Sequence, residues 1–215
     1  MNHSHSHGKL FLVFIPAIFI LALAFFIRIV QYEPLIPKEI ANPEEASLEI
    51  PILPGDPIIG DKKSGITIIA FEDFSCENCK VQSEFLKEIQ DKHPKRVKVI
   101  WKGLPVNTFP VNSRLAHQYA YCANAQKKFD EFSSYAFVNG SNLTEDTLQT
   151  IATEIDLKES TLESCLSNPA VDEHIDTTES LARSLSIQAV PTFFLNKKQI
   201  QNPNSINEWE TLLGL

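Results

Sequence analysis

Two cysteines separated by two residues, Cys76 and Cys79, are the side chains in this sequence best suited to carry chemistry. A Cys-x-x-Cys pair suits thiol–disulfide exchange, because one thiolate attacks a disulfide and the second thiol resolves the mixed disulfide. The alternatives are a structural disulfide and one half of a metal site. A structural zinc site needs four ligands, and the sequence has no second Cys-x-x-Cys. We expect His93, His117 and His174 to lie at the surface or on helix faces.

The sequence around the pair predicts a strand that passes into a helix. The run Ile66–Phe71 is β-branched and apolar, as in a buried strand, and Glu77–Lys92 has apolar residues at helical spacing. Cys76 then falls at the N-terminus of the helix, where free N–H groups and the helix dipole favour a thiolate. We therefore expect Cys76 to be the exposed nucleophile, and Cys79, one turn further along, to be the shielded resolving thiol.

The rest of the sequence predicts an α/β domain interrupted by helices. Val97–Trp101 is typical of a second strand, which would pair in parallel with the first as a βαβ unit. Apolar residues from about 107 to 185 recur at helical spacing, so we predict an α-helical insertion there. Four helices are expected in it, followed by a hairpin and a final helix capped by Ser205. The segments that define these elements are Leu115–Cys122, Leu148–Ile155, Leu157–Leu166, Val171–Leu185, Phe193–Leu195 with Lys198–Ile200, and Ser205–Leu213.

A second motif, Val190-Pro191-Thr192, precedes a short apolar run far downstream of the cysteines. Together with the lead-in Gly55–Gly60 and the strand end Phe71–Cys76, it resembles the thioredoxin superfamily, and more closely its DsbA-like branch. The resemblance covers roughly Gly55 to the C-terminus. It implies a thioredoxin-like fold with the helical insertion and a cis peptide bond before Pro191. It also implies that Pro191 lies beside the dithiol, and that the Val190 backbone can meet a bound peptide strand.

The two residues between the cysteines, Glu77 and Asn78, should tune the exchange. Strong oxidants of the family have a His there, whereas a carboxylate beside Cys76 repels the thiolate and raises the pKa of the thiol. We therefore predict a reduction potential between about −120 mV, as in a strong oxidant, and about −270 mV, as in thioredoxin. The buried acid that the family has six residues before the first cysteine is replaced by Ala70. Glu72, on the same strand face, is either its substitute or a strand-end residue.

The other two cysteines, Cys122 and Cys165, lie on apolar faces of predicted helices in the insertion. In an oxidising compartment we expect them to form a second, structural disulfide, and the resemblance supports this because several relatives have a comparable pair. Closing a loop of about 44 residues would stabilise the fold by roughly 4 kcal/mol. The alternative is a pair of buried free thiols.

The first part of the sequence predicts a membrane anchor. Residues 10–30 are almost entirely apolar, and the uninterrupted run 10–27 would span roughly 27 Å as a helix, close to the thickness of a bilayer core. The pattern at Ala22–Ala24 fits a signal-peptide cleavage site, but the apolar run continues past it, so we favour an uncleaved anchor over a cleaved signal sequence. We assign 1–9 to a cytoplasmic tail, 31–57 to a Pro-rich tether and 58–215 to the folded domain.

The net charge of −8 argues against nucleic-acid binding. The resemblance implies a single-pass protein of the cell membrane, a thiol–disulfide oxidoreductase whose domain faces the periplasm or the cell exterior. It would introduce disulfides into unfolded or folding exported proteins and be reoxidised by a quinone-linked thiol oxidase in the membrane. We expect a monomer that needs no cofactor and no metal. The alternatives are a reductase or isomerase on the same fold, and a non-enzymatic metal-binding or scaffold module.

Overall fold

The computed structural model describes residues 18–26, 49–106 and 112–215. The chain divides into two units, Met1–Ser47 and Leu48–Leu215. In the first unit the described residues are helical, and we label them α1. Within the described ranges no helix combines the length and the hydropathy needed to cross a membrane. The rest of the predicted anchor, and most of the predicted tether, lie outside the described residues.

A five-stranded sheet organises the second unit, in the order β1-β3-β2-β4-β5. The two long strands, β2 and β3, run parallel, and every other neighbouring pair is antiparallel. This parallel pair is the βαβ unit that the sequence predicts, and it places the C-terminal ends of both strands at one edge of the sheet. The strands are β1 Ile58–Ile59, β2 Ile66–Glu72, β3 Val97–Gly103, β4 Thr192–Leu195 and β5 Lys198–Ile200.

Helices cover the sheet and build the insertion. The helix that follows β2 has the predicted bounds, because its apolar residues Leu86 and Ile89 pack on Ile68 and Ala70 of β2. The insertion contains five helices among its described residues, and the prediction of four is wrong because it omits α4. The helices are α2 Glu77–Lys92, α3 Arg114–Ala125, α4 Phe129–Val138, α5 Glu145–Glu154, α6 Glu159–Leu166, α7 Pro169–Ser184 and α8 Ile206–Leu213.

The C-terminal elements form as local sequence signals predict. Asn196 and Lys197 both have positive φ, as a two-residue hairpin turn requires, and they join β4 to β5. Ser205 caps α8, since its side chain accepts a hydrogen bond from the Glu208 N–H. The Trp209 indole N–H then donates to Gln82 Oε1 at 2.9 Å, which fastens α8 to α2.

The folded unit starts further toward the N-terminus than the predicted boundary at 58. Ile50 is buried, and the Lys102 ammonium donates to the Pro51 carbonyl oxygen at 2.7 Å. The same ammonium pairs with the Asp56 carboxylate, and both side chains are fully buried. Burial lowers the pKa of Lys102, and the Asp56 carboxylate partly offsets this. The last part of the predicted tether therefore packs on the domain instead of hanging free of it.

Candidate active site

The Cys76–Cys79 pair lies at the junction of β2 and α2 and is joined as a disulfide. Cys76 is the N-cap residue of α2, and its Sγ accepts a hydrogen bond from the Cys79 N–H at 3.1 Å. Cys76 is partly exposed, whereas Cys79 is completely buried. An incoming thiolate therefore reaches one sulfur of the disulfide more easily than the other. On reduction, the helix N–H groups favour a thiolate at the exposed sulfur.

The Val190–Pro191 loop lies against this disulfide. The peptide bond between Val190 and Pro191 is cis, and the Val190 carbonyl oxygen is 3.7 Å from Cys76 Sγ. In the dithiol form this carbonyl can accept a hydrogen bond from the Cys76 thiol. Two hydrogen bonds hold this loop in place. Thr192 Oγ1 donates to the Ala189 carbonyl oxygen, and Asn202 Nδ2 donates to the Pro191 carbonyl oxygen.

Asp73 fastens the loop that carries Cys76, a role that the sequence analysis did not predict. Its carboxylate accepts hydrogen bonds from the N–H groups of Ser75 and Val106 and from the Ser113 hydroxyl, and it pairs with the buried His117 imidazole at 3.3 Å. Burial alone would raise the pKa of Asp73, but His117 and the two backbone N–H groups lower it to about 2. His117 lies on the buried face of α3, stacked on an indole, and not at the surface.

Glu72, the last residue of β2, has an environment opposite to that of its neighbour Asp73. Its side chain is only 2% exposed, and burial raises the pKa of its carboxyl to about 8. The Trp101 indole lowers this pKa somewhat, but Glu72 Oε1 makes no hydrogen bond among the described residues. Ala70, six residues before Cys76, is completely buried on the same strand face. The carboxyl of Glu72 is thus a buried, protonated group at neutral pH and not a solvated strand-end charge.

The sequence itself matches a known family over most of its length. Residues 53–214 match the family profile described as Thioredoxin. The chain belongs to the thioredoxin family. This confirms the predicted resemblance, and the matched region contains all four cysteines and the Val190–Pro191 loop.

One protein of related sequence and two solved structures illustrate the similarity. Disulfide bond formation protein D of Bacillus subtilis (strain 168) is 26% identical over 164 residues, which are 71% of this chain and 72% of that protein. The catalytic domain of Proteus mirabilis ScsC superposes with a TM-score of 0.67 at 20% identity, over 78% of this chain and 91% of that one. A periplasmic thioredoxin-like protein from Salmonella enterica serovar Typhimurium has a TM-score of 0.66 at 24% identity, over 79% and 92%. The two structures show that the thioredoxin fold is shared.

The residues between the cysteines face solvent in this thioredoxin-family site. Glu77 and Asn78 occupy the first turn of α2, and both are exposed. Glu77 is the first helical residue, directly after Cys76, so its carboxylate and the helix dipole act on the same sulfur in opposite senses. Because water screens an exposed carboxylate, its influence on Cys76 is weaker than that of a buried one.

The loop after α4 also packs on the active-site loop, which the sequence analysis did not predict. Gly140 lies so close to the Phe74 carbonyl oxygen that a Cβ atom at this position would overlap with it. The Phe74 ring stacks on Trp101 with ring centroids 5.0 Å apart and packs edge-on against Phe137 at the same distance. Residues of the insertion therefore pack directly against Phe74, in the loop that precedes Cys76.

Cys122 and Cys165 are joined by a disulfide in the structure, with an S–S distance of 2.01 Å. The bond connects α3 to α6 and closes a loop within the helical insertion. Cys122 is completely buried in the same apolar cluster as Cys79. The second disulfide thus crosslinks two helices of the insertion, and it has one buried sulfur, that of Cys122, and one partly buried sulfur, that of Cys165.

Proposed function

We propose that this thiol–disulfide oxidoreductase is an oxidase, which introduces disulfides into exported proteins through Cys76 and Cys79. A substrate thiolate attacks Cys76 Sγ, the Cys76–Cys79 bond breaks, and Cys79 leaves as a thiolate that takes up a proton. A second substrate thiolate then attacks the substrate sulfur of the mixed disulfide and releases Cys76. Two electrons pass from substrate to protein, and the substrate gains one disulfide.

The asymmetry of the cysteine pair is the observation that carries this proposal. Cys76 is partly exposed at the start of α2 and Cys79 is buried, so a substrate thiolate reaches Cys76 and Cys79 is the leaving group. The Val190 carbonyl beside Cys76 gives a substrate backbone N–H an acceptor close to the reacting sulfur.

The direction of exchange is tested by the reduction potential of the Cys76–Cys79 couple. The full-length protein would be equilibrated in glutathione and dithiothreitol buffers, and the dithiol fraction counted by alkylation and mass spectrometry. We expect a potential between those of a strong oxidant and thioredoxin, and above about −200 mV. A potential near −270 mV would contradict the oxidase and support the reductase.

Replacement of Glu77 by His tests the tuning of this potential. The substitution removes a carboxylate beside Cys76 and adds a group that can stabilise its thiolate, so the couple should become more oxidising. Glu84→His is the matched control, since Glu84 is an exposed glutamate of the same helix two turns further along. Equal potentials in Glu77→His and the wild type would contradict the argument.

Membrane tethering through residues 10–30 and reoxidation by a quinone-linked thiol oxidase complete the proposal. The apolar run in the sequence supports the first, and the need to regenerate the Cys76–Cys79 disulfide after each turnover supports the second. In membrane vesicles we expect the protein to resist extraction by carbonate. Added quinone should restore its disulfide after reduction. Release by carbonate would contradict membrane tethering. Reoxidation at the same rate without added quinone would contradict a quinone-linked oxidase.

A reductase is the second candidate, and the position of Glu77 favours it. A carboxylate directly after Cys76 makes the thiolate less stable, and hence the disulfide more stable and a poorer oxidant. The same potential measurement distinguishes the two candidates. An isomerase differs from both, because it would rearrange the disulfides of a wrongly paired substrate without a net change in the number of disulfides.

A further inference from the structure

A cavity between α2 and α4 takes no part in the exchange chemistry described above. It has a volume of about 530 Å³ and is lined by Glu72, Ser83, Leu86, Val99, Asp130 and neighbouring side chains. We call it the α2–α4 cavity. Its size suits a small molecule or a single long side chain.

The cavity is lined by a buried carboxyl group, one oxygen of which makes no hydrogen bond among the described residues. Glu72 is 2% exposed, lines the cavity, and has an Oε1 atom without a hydrogen bond among the described residues. The Trp101 indole nitrogen is near enough to lower the pKa of Glu72, yet it too is without a hydrogen-bond partner in the described part of the chain. A buried polar atom without a partner costs free energy, so a donor that enters the cavity and meets this oxygen relieves that cost.

The walls of the cavity favour a cation. Asp91 of α2 and Asp130 and Glu131 of α4 line it, whereas Lys87 is the single basic side chain among its described lining residues. All three carboxylates are exposed to solvent, and Glu131 pairs with Lys128 at 3.3 Å. Partial desolvation and the neighbouring Glu131 raise the pKa of Asp130, whereas Lys87 lowers it. A positive ligand would lessen this repulsion between carboxylates.

The remaining surface favours an organic cation over a metal ion. Ile59, Leu86 and Val99 give the cavity apolar walls. In the described part of the chain, no three His, Cys, Asp or Glu side chains converge to hold a metal ion. We propose that the α2–α4 cavity binds an alkylammonium group, with the ammonium on the Glu72 carboxylate and the alkyl chain along these apolar walls. A free amine and a lysine side chain of a partner protein both carry this group.

Binding should release a proton. Because burial holds the pKa of Glu72 at about 8, the carboxyl must ionise to pair with the ammonium. The charged groups that face the cavity from α2 and α4 are Asp91, Lys87, Asp130 and Glu131, and Tyr135 also lines it. Affinity should rise roughly 50-fold from pH 6 to pH 8, as the ionised fraction of Glu72 rises, while the ammonium stays protonated.

The test is a calorimetric titration of the full-length, oxidised protein with pentylammonium chloride in amine-free buffer. We expect saturable binding, an affinity that increases from pH 6 to pH 8, and at least tenfold weaker binding to Glu72→Gln. Ser83→Leu should also weaken it, because it fills the cavity without removing a charge. Glu84→Gln, a charge change on the exposed part of α2, should leave it unchanged.

Three results would overturn the proposal. They are an absence of saturable binding, equal affinity for pentylammonium in Glu72→Gln and the wild type, and binding of uncharged 1-pentanol as tight as that of pentylammonium. Nα-acetyl-lysine amide distinguishes the two sources of the ammonium group. Binding at least as tight as that of pentylammonium would support a lysine side chain, and weaker binding by tenfold or more would support a free amine.

Discussion

Replacement of Glu72 by Gln should stabilise the protein, and the gain should grow with pH. Gln keeps the shape of the side chain but cannot ionise. Folding raises the pKa of Glu72 from its ordinary 4.5 to about 8, chiefly through burial, so the folded state binds the proton more tightly than the unfolded state. The contribution of this proton to stability is complete below about pH 4.5 and is lost as the pH rises toward 8.

The size of the effect follows from the shift. Each pH unit between the two pKa values costs about 1.4 kcal/mol, because the unfolded state releases a proton that the folded state retains. From pH 5 to pH 7 the wild type should therefore lose about 2 kcal/mol relative to Glu72→Gln. The side chain is 2% exposed, so solvent screening removes little of this difference.

Urea or guanidinium unfolding of the full-length protein at pH 5, 6 and 7, with both disulfides intact, measures the difference. The buffers should contain no amines, since the proposed ligand of the α2–α4 cavity would stabilise the wild type. Glu84→Gln serves as the control, because Glu84 is exposed on α2 and the same change in charge there should give no such trend. A difference between Glu72→Gln and the wild type that is the same at pH 5 and pH 7 would refute the reasoning.

Three further perturbations test other parts of the structure. Joint replacement of Cys122 and Cys165 by Ala should lower the free energy of unfolding by roughly 4 kcal/mol in chemical denaturation, and an unchanged midpoint would exclude a stabilising crosslink. Asp56→Asn removes the only carboxylate paired with the buried Lys102 ammonium among the described residues and should cost about 3–5 kcal/mol, most of which Lys102→Met in the same protein should restore. Pro191→Ala should trap mixed disulfides with substrates on non-reducing gels, and their absence would weaken the substrate-binding role of this loop.

Local signals in the sequence predicted the elements around the disulfide well. The bounds of α2 follow from an apolar stripe and from Cys76 as its N-cap, both of which are short-range features. The spacing of the buried residues of α4 is also helical, namely Phe129, Phe132, Ser133, Ala136 and Phe137. The predicted helical insertion spans these residues, but none of the four segments that defined its helices covers them.

The features that the sequence did not predict depend on contacts between distant residues. Proline density predicts extended backbone before residue 58, but it does not predict how that segment packs. The packing depends on Lys102, a buried charged residue of β3, which lies between β1 and β2 in the sheet. The partners of Asp73 are likewise remote, since Ser113 and His117 belong to the insertion. Periodicity reports which face of an element is buried, and it carries no information on which polar groups meet across the core.

Glu72 and Asp73 are adjacent at the end of β2, but only Glu72 changes its protonation state near neutral pH. Asp73 stays charged and keeps the loop of Cys76 in one conformation. Both carboxyls are buried, yet Asp73 accepts hydrogen bonds from two backbone N–H groups and the Ser113 hydroxyl, whereas Glu72 Oε1 accepts none among the described residues. Hydrogen bonds to the charged form therefore outweigh burial at Asp73, and burial dominates at Glu72. Asp73 keeps its charge across the physiological pH range and holds the loop of Cys76 in place. Of these two carboxyls, only Glu72 should therefore contribute to a change in stability or ligand affinity near pH 8. The position of the Cys76 loop should stay the same when Glu72 ionises.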